Sequence, residues 1–195
     1  MSGADGTAAS AVQLRGLQPG DLGWVVGRHG ALYGSEYGFD QRFEALVARI
    51  VADYVERLDP SLEHAWIAQR AGAQDDAADP RLGCVFLVQA RDDTTHQPEP
   101  GVAQLRLLLV EPAARGLGLG QRLTAACEDF ARQAGYRRMR LWTNRSLSAA
   151  RAIYRKAGYQ LVDSQAHESF GNVQVGEVWE KALTEAAPGS EPDTP

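Results

Sequence analysis

Phe43, Leu46, Val47, Ile50, Val51, Tyr54, Val55 and Leu58 recur at three- and four-residue spacing. That period puts them on one face of a helix, which should end near Asp59-Pro60 because proline disfavours helical backbone in the residue before it. Upstream, Val12 to Leu17 fits a short first strand closed by the turn signal Gln18-Pro19-Gly20. Asp21 is then the expected N-cap of a helix passing through Trp24, Val25 and Val26 to about Tyr33. Ala65-Trp66-Ile67-Ala68 and Gly83 to Val88 read as two paired strands. The Asp-, Ala- and Gly-rich residues 71–81 form the loop between them, and 91–101 form a similar loop.

The pattern changes after Val102. Leu105 to Val110 is an apolar strand and Gly116 to Gly120 a glycine loop. Leu119, Leu123, Ala126, Cys127, Phe130 and Ala134 mark one face of a helix that ends at Gly135. Met139 to Trp142 is a short strand. Leu147, Ala150, Ile153, Tyr154 and Ala157 define a further helix stopped by Gly158. Tyr159 to Val162 and Val175 to Trp179 are the last strands, with a polar loop over 163–174. Strands alternating with helices imply right-handed crossovers and locally parallel strands, and the earlier hairpin makes the sheet mixed. The expectation is one α/β (α+β) domain over residues 12–183. Residues 1–11 are mostly small and polar, residues 184–195 hold three prolines and no large apolar side chain, and both are expected to be disordered tails. No internal repeat is visible.

Composition narrows the class. At 195 residues, 44% hydrophobic and 23% charged, the chain has the make-up of an ordinary globular protein. Its apolar runs, such as Leu107 to Val110, are far too short to span a bilayer, and no secretory signal is visible. Two cysteines, Cys84 and Cys127, cannot build a disulfide framework or a cysteine zinc site, so a cytoplasmic location is expected, with neither a metal nor a membrane partner. Charge is uneven: residues 101–160 hold eleven basic and three acidic side chains within a chain of net −5. A basic stretch in an acidic protein suggests a local polyanionic ligand, with solvated arginines as the alternative. It lacks interleaved aromatics or a helix-turn-helix pattern, so nucleic acid is not the expected partner.

The most informative local sequence is Val110-Glu111-Pro112-Ala113-Ala114-Arg115-Gly116-Leu117-Gly118-Leu119-Gly120-Gln121. It joins a strand to a helix, where unpaired N–H groups point at an anion and glycines let backbone approach it closely. Arg115 adds a fixed positive charge. A nucleoside-triphosphate loop would need Lys and then Ser or Thr where Gln121-Arg122 stand. A dinucleotide fingerprint would need an acid about 20 residues on, and the strand from Arg138 to Thr143 has none. A pyrophosphate of another kind fits, with a purely structural turn as the alternative.

Val110-x-Pro-x-x-Arg-Gly-x-Gly-x-Gly120 followed by a helix resembles the acetyl-coenzyme-A loop of the GNAT N-acetyltransferase superfamily. Trp142-Thr143-Asn144 at the end of the next strand and Ala149-x-x-x-x-Tyr154-x-x-x-Gly158-Tyr159 on the next helix match in order. The resemblance spans residues 12–183 in element order and is most specific over 105–161. His29 to Tyr33 and Arg106 to Gly118 look most like GNAT domains fused behind MarR-type regulators in bacteria, and the chain is expected to lack that DNA-binding half. The resemblance implies a mostly antiparallel mixed sheet with a splayed parallel strand pair where the cofactor enters.

It also implies roles. Leu108, Leu109 and Val110 would pair with pantetheine amides as an added strand. Arg115, Gly116, Leu117, Gly118, Leu119, Gly120 and Gln121 would hold the pyrophosphate of acetyl-CoA, and Asn144 the pantetheine arm or the acceptor. Helix capping is the other use of Asn144. Acetyl transfer needs a neutral amine, a stabilised oxyanion and a proton for the departing thiolate. By spacing alone Tyr154 reads as a core-facing aromatic; the resemblance puts it at the family's general-acid position. Many members place a carboxylate in the strand before the loop, where this chain has Gln104 and Arg106, so the base is unassigned. His29, Tyr33, Glu36 and His167 are candidates to line the acceptor pocket, with Glu168 in the same segment. The implied activity is acetyl transfer from acetyl-CoA to an amine of a small molecule or protein by a monomer or homodimer. The alternative is a non-catalytic acetyl-CoA-binding sensor or scaffold.

Overall fold

A computed structural model describes residues 12–72 and 79–183. The proposed tails at 1–11 and 184–195, and part of the 71–81 loop, lie outside the described residues. The elements are β1 (Val12–Arg15), α1 (Asp21–Tyr37), α2 (Gln41–Arg57), β2 (His64–Arg70), β3 (Arg81–Arg91), β4 (Pro98–Val110), α3 (Leu119–Gln133), β5 (Arg138–Asn144), α4 (Ser148–Lys156), β6 (Gln160–Ser169) and β7 (Asn172–Ala182). No described helix is long and apolar enough to cross a membrane.

Local chemistry sets the helix ends. Asp40 caps α2 by accepting the Arg42 backbone N–H at 3.0 Å. The expected cap of α1 is displaced by one residue: Gly20, at φ 93, is the cap, and Asp21 begins the helix. The buried Asp21 carboxylate instead accepts the Gln18 N–H at 2.7 Å and pairs with Arg15 and Arg81. α1 also runs beyond Tyr33 to Tyr37, where left-handed Gly38 (φ 68) stops it. That extra turn carries Glu36.

The seven strands lie in the order β1-β2-β3-β4-β5-β7-β6. Every neighbouring pair is antiparallel except β4 and β5. Three expectations are corrected. Residues 91–101 are not wholly loop, because β3 and β4 continue as a hairpin to the Arg91–Pro98 pair. Residues 163–174 are mostly strand: β6 and β7 form a long hairpin that turns at Phe170-Gly171, both at positive φ. β6 is an edge strand that is exposed along most of its length, so it has no apolar alternation to betray it. The α4 crossover also leads to a strand that is not adjacent to β5, since β7 is inserted between them.

The splay has a visible cause. β4 and β5 pair only from Val102–Arg138 to Leu105–Leu141, after which β4 continues to Val110 and β5 to Asn144 without each other. Leu107 sits in a β4 bulge at φ 54, where the register with β3 shifts between Phe86–Arg106 and Cys84–Leu109. A bulge bends its strand and increases the local twist. Helices cover both faces of the sheet. Leu123, Cys127 and Ala131 of α3 are fully buried in one core. Val25, Val47, Val51 and Tyr54 of α1 and α2 pack with Ile67 and Phe86 in the other.

Candidate active site

Two hollows meet where β4 and β5 part. The first is a groove of about 500 Å³ between the last turns of α1, the end of β4, the loop before α3, and α4. Leu108, Leu109 and Val110 form its floor on the edge that β5 has left. Gly116 (φ 78) and Gly118 (φ 72) adopt left-handed backbone, and a Cβ at either would meet nothing within 4 Å. The space beside them is open. α3 starts at Leu119 without any side-chain cap, so its first-turn N–H groups and the positive end of its dipole face the groove. A pyrophosphate fits this cradle.

Other candidates sort by side-chain placement. Gln121 accepts from Lys156 Nζ at 3.4 Å, and both line the groove. Gly120 is buried, and a Cβ there would lie 2.5 Å from Ile153 Cδ1, so glycine lets α3 pack tightly on α4. Leu117 projects away, 75% exposed, and does not line the groove. Arg115 reaches across to Glu36, with Nη2 to Oε1 at 2.7 Å. Glu36 therefore lies on the groove and not in the neighbouring cavity, because α1 is one turn longer than its apolar pattern suggests.

The second hollow is a cavity of about 610 Å³ bounded by α1, α2, β4, β5 and the β6–β7 hairpin. Tyr33, Leu108, Leu147 and Ala150 line both hollows and mark their junction. Tyr154 stands on the cavity wall. It is 4% exposed, and its hydroxyl has no hydrogen-bond partner among the described residues. Burial, with smaller contributions from Tyr33 and Cys127, pushes the phenol pKa well above its ordinary value. The proton stays on the oxygen across the neutral range.

Asn144, His167 and Ser169 form a chain along the cavity wall. His167 Nε2–H donates to Asn144 Oδ1 at 3.2 Å, which leaves Nδ1 to accept from the Ser169 hydroxyl at 2.9 Å. Asn144 is 1% exposed and caps no helix; Leu147 occupies that position for α4. Trp142 packs against His167 at 5.5 Å between centroids and lies over Gly176, where a Cβ would come within 3.0 Å of the indole. His29 is buried on α1 and stacks on Tyr33 at 5.7 Å. Its Nδ1–H donates to the Val25 carbonyl at 2.8 Å, and burial pulls its pKa down to about 4. Its Nε2 has no hydrogen-bond partner among the described residues.

The pattern of the sequence did not disclose some cavity residues. Phe170 sits at the hairpin tip and packs on Phe39 and Phe43, 5.3 and 5.2 Å away. The Phe170-Gly171-Asn172 turn signal was available to find it. Arg140 reaches Glu99 and Glu180 from β5.

A mixed sheet with a splayed parallel pair and helices on both faces defines an α/β domain, here with a glycine-cradled groove beside a cavity, and comparison with known proteins places it in a family. The chain belongs to the acetyltransferase (GNAT) family, whose model matches residues 34–159. Among solved structures, an N-acetyltransferase from Staphylococcus aureus superposes with a TM-score of 0.69 at 16% identity, covering 90% of this chain and 100% of that one. A ribosomal-protein-alanine N-acetyltransferase from Brucella melitensis gives 0.67 at 16% identity, over 88% of this chain and 99% of its own. A Salmonella typhimurium protein classed as an acetyltransferase, solved with its cofactor acetyl-CoA, also gives 0.67 at 16% identity, over 92% and 98%. At such identities the likeness is one of fold. None of these comparisons singles out a MarR-fused subgroup. No curated protein matches the chain in sequence.

Proposed function

We propose that this protein transfers the acetyl group of acetyl-CoA to an amine by direct attack in a ternary complex. The supporting observation is the junction itself: a groove fit for a pyrophosphate and pantetheine opens at Leu108 onto a cavity walled by Tyr154. Acetyl-CoA supplies an activated acyl group and a thiolate leaving group. The unpaired edge of Leu108 to Val110 offers N–H and C=O groups to the pantetheine amides. Gly116, Gly118, the first turn of α3 and Arg115 hold the pyrophosphate.

Tyr154 holds a proton on Oη on the cavity wall and gives it to the departing sulfur. Burial keeps that proton on Oη until thiolate charge develops beside it, and the same apolar surroundings raise the basicity of the departing sulfur. Asn144, fixed by His167, orients the acceptor side of the pantetheine arm. β4 presents Gln104 and Arg106 to the cavity and no carboxylate, so the acceptor's ammonium proton goes to ordered water or to another group of the cavity wall and not to this strand.

Titration calorimetry with acetyl-CoA, followed by a thiol-release assay over an amine panel, tests this reading. One site per chain and thiol release that depends on an amine are expected. Absence of heat at millimolar acetyl-CoA, from folded protein, overturns it. Binding without turnover of any amine would instead support the sensor or scaffold.

A further inference from the structure

Arg106 lies on β4, two residues before the junction at Leu108, and its side chain forms part of the cavity wall. It is half-buried and makes no hydrogen bond or ion pair among the described residues. The other three arginines of the cavity are engaged. Arg57 lies 3.6 Å from Asp53, Arg91 donates to the His96 carbonyl at 3.0 Å, and Arg140 is held by Glu99 and Glu180 at 2.5 and 2.7 Å. Burial lowers the Arg106 pKa below the ordinary arginine value, opposed by the charges of Asp53 and Asp93, neither of which pairs with it. A guanidinium stays protonated in any protein setting, so the strand keeps a partly desolvated charge with no carboxylate at ion-pair distance among the described residues, although Asp53, Glu63, Asp92 and Asp93 line the same cavity. The neighbouring Gln104 adds an amide on the same wall.

We propose that the acceptor amine also carries an oxyanion, a carboxylate or a phosphate, which Arg106 binds in the cavity. The proposal rests on the acetyltransferase reading, since that reading makes the cavity the acceptor's place. A guanidinium fork matches a planar carboxylate in two parallel hydrogen bonds and binds phosphate equally well. The apolar wall of Phe39, Phe43 and Phe170 beside it suits the acceptor's uncharged part.

Matched ligands test this with and without turnover. In the presence of coenzyme A, thermal shift and calorimetry compare N-acetyl-L-amino acids of alanine, methionine, phenylalanine and glutamate with their carboxamides. O-phosphoethanolamine against ethanolamine forms the phosphate arm. At least one oxyanion ligand should bind roughly 10- to 100-fold more tightly than its neutral partner, the span expected of a charge-assisted hydrogen-bonded pair. The carboxylate and phosphate arms identify which oxyanion is meant. Arg106→Gln should erase the preference and leave acetyl-CoA affinity unchanged, while Arg106→Lys should restore part of it. An equal response to oxyanion and neutral partners, including no response to either, overturns the proposal, as does a preference that survives Arg106→Gln. Kinetic failure is separable: an oxyanion preference in binding without thiol release from any amine would sink acetyl transfer and leave the anion site standing.

Discussion

The guanidinium of Arg115 donates to the carboxylate of Glu36 at 2.7 Å, tying the loop before α3 to the last turn of α1 across the proposed cofactor groove. The two side chains are 46% and 28% exposed. An ion pair this open contributes little to stability, about 0–1 kcal/mol. Its effect falls on binding, because it occupies the arginine that a pyrophosphate would use and sets a negative charge beside it.

Glu36→Gln should therefore tighten acetyl-CoA binding by a few-fold at low ionic strength. The gain should shrink as salt is added, since exposed charges are screened over about 10 Å at 0.1 M. Calorimetric affinities of both proteins at two salt concentrations measure it. Weaker binding by the variant would show that Glu36 helps to hold the ligand.

Gly118→Glu addresses the cradle. A Cβ there meets no protein atom within 4 Å, so its bulk and charge act on the ligand. The left-handed backbone (φ 72) costs a non-glycine residue roughly 1–2 kcal/mol, a modest loss of stability. Acetyl-CoA affinity should fall severely while circular dichroism stays native. Parental affinity in the variant would reduce the loop to a turn.

Tyr154→Phe removes the proton and keeps the ring against Tyr159, 5.9 Å away. If the phenol protonates the thiolate, kcat should drop roughly 100- to 10,000-fold, with acetyl-CoA affinity nearly unchanged. Steady-state kinetics beside direct binding separate the two. Turnover within about threefold of the parent would remove Tyr154 from the chemistry.

His29 gives a pH dependence of stability. Its native pKa is pulled from 6.5 to about 4, so between those values the unfolded chain binds a proton that the native state does not. Stability from this group is complete above the unfolded value, is lost as pH falls, and reaches its full loss of about 3 kcal/mol near the native value. Urea unfolding across that range should show a shallower decline for His29→Gln than for the parent. Parallel declines would show that the imidazole does not titrate with unfolding.

What the sequence by itself determined lies where structure is local. The period of Phe43 to Leu58, the apolar stripe from Leu119 to Ala134 and the glycines of the loop before α3 are each set by backbone preference and by the face a helix must bury, and α2, α3 and the cradle appear where those signals stand. The tertiary structure alone decided what depends on distant chain. β6 lies exposed at the sheet edge, where no burial selects an alternating pattern, so its continuation past Val162 along β7 left no mark to read. The Arg115–Glu36 pair joins residues 79 apart. The junction marked by Tyr33 and Leu108, with Tyr154 on the cavity wall, needs the bulge at Leu107 and the early end of the β4–β5 ladder. Arg106 shows the same limit: a charge within an apolar strand is plain in the sequence, but only packing shows that the other arginines of the cavity are engaged and that this one has no partner among the described residues.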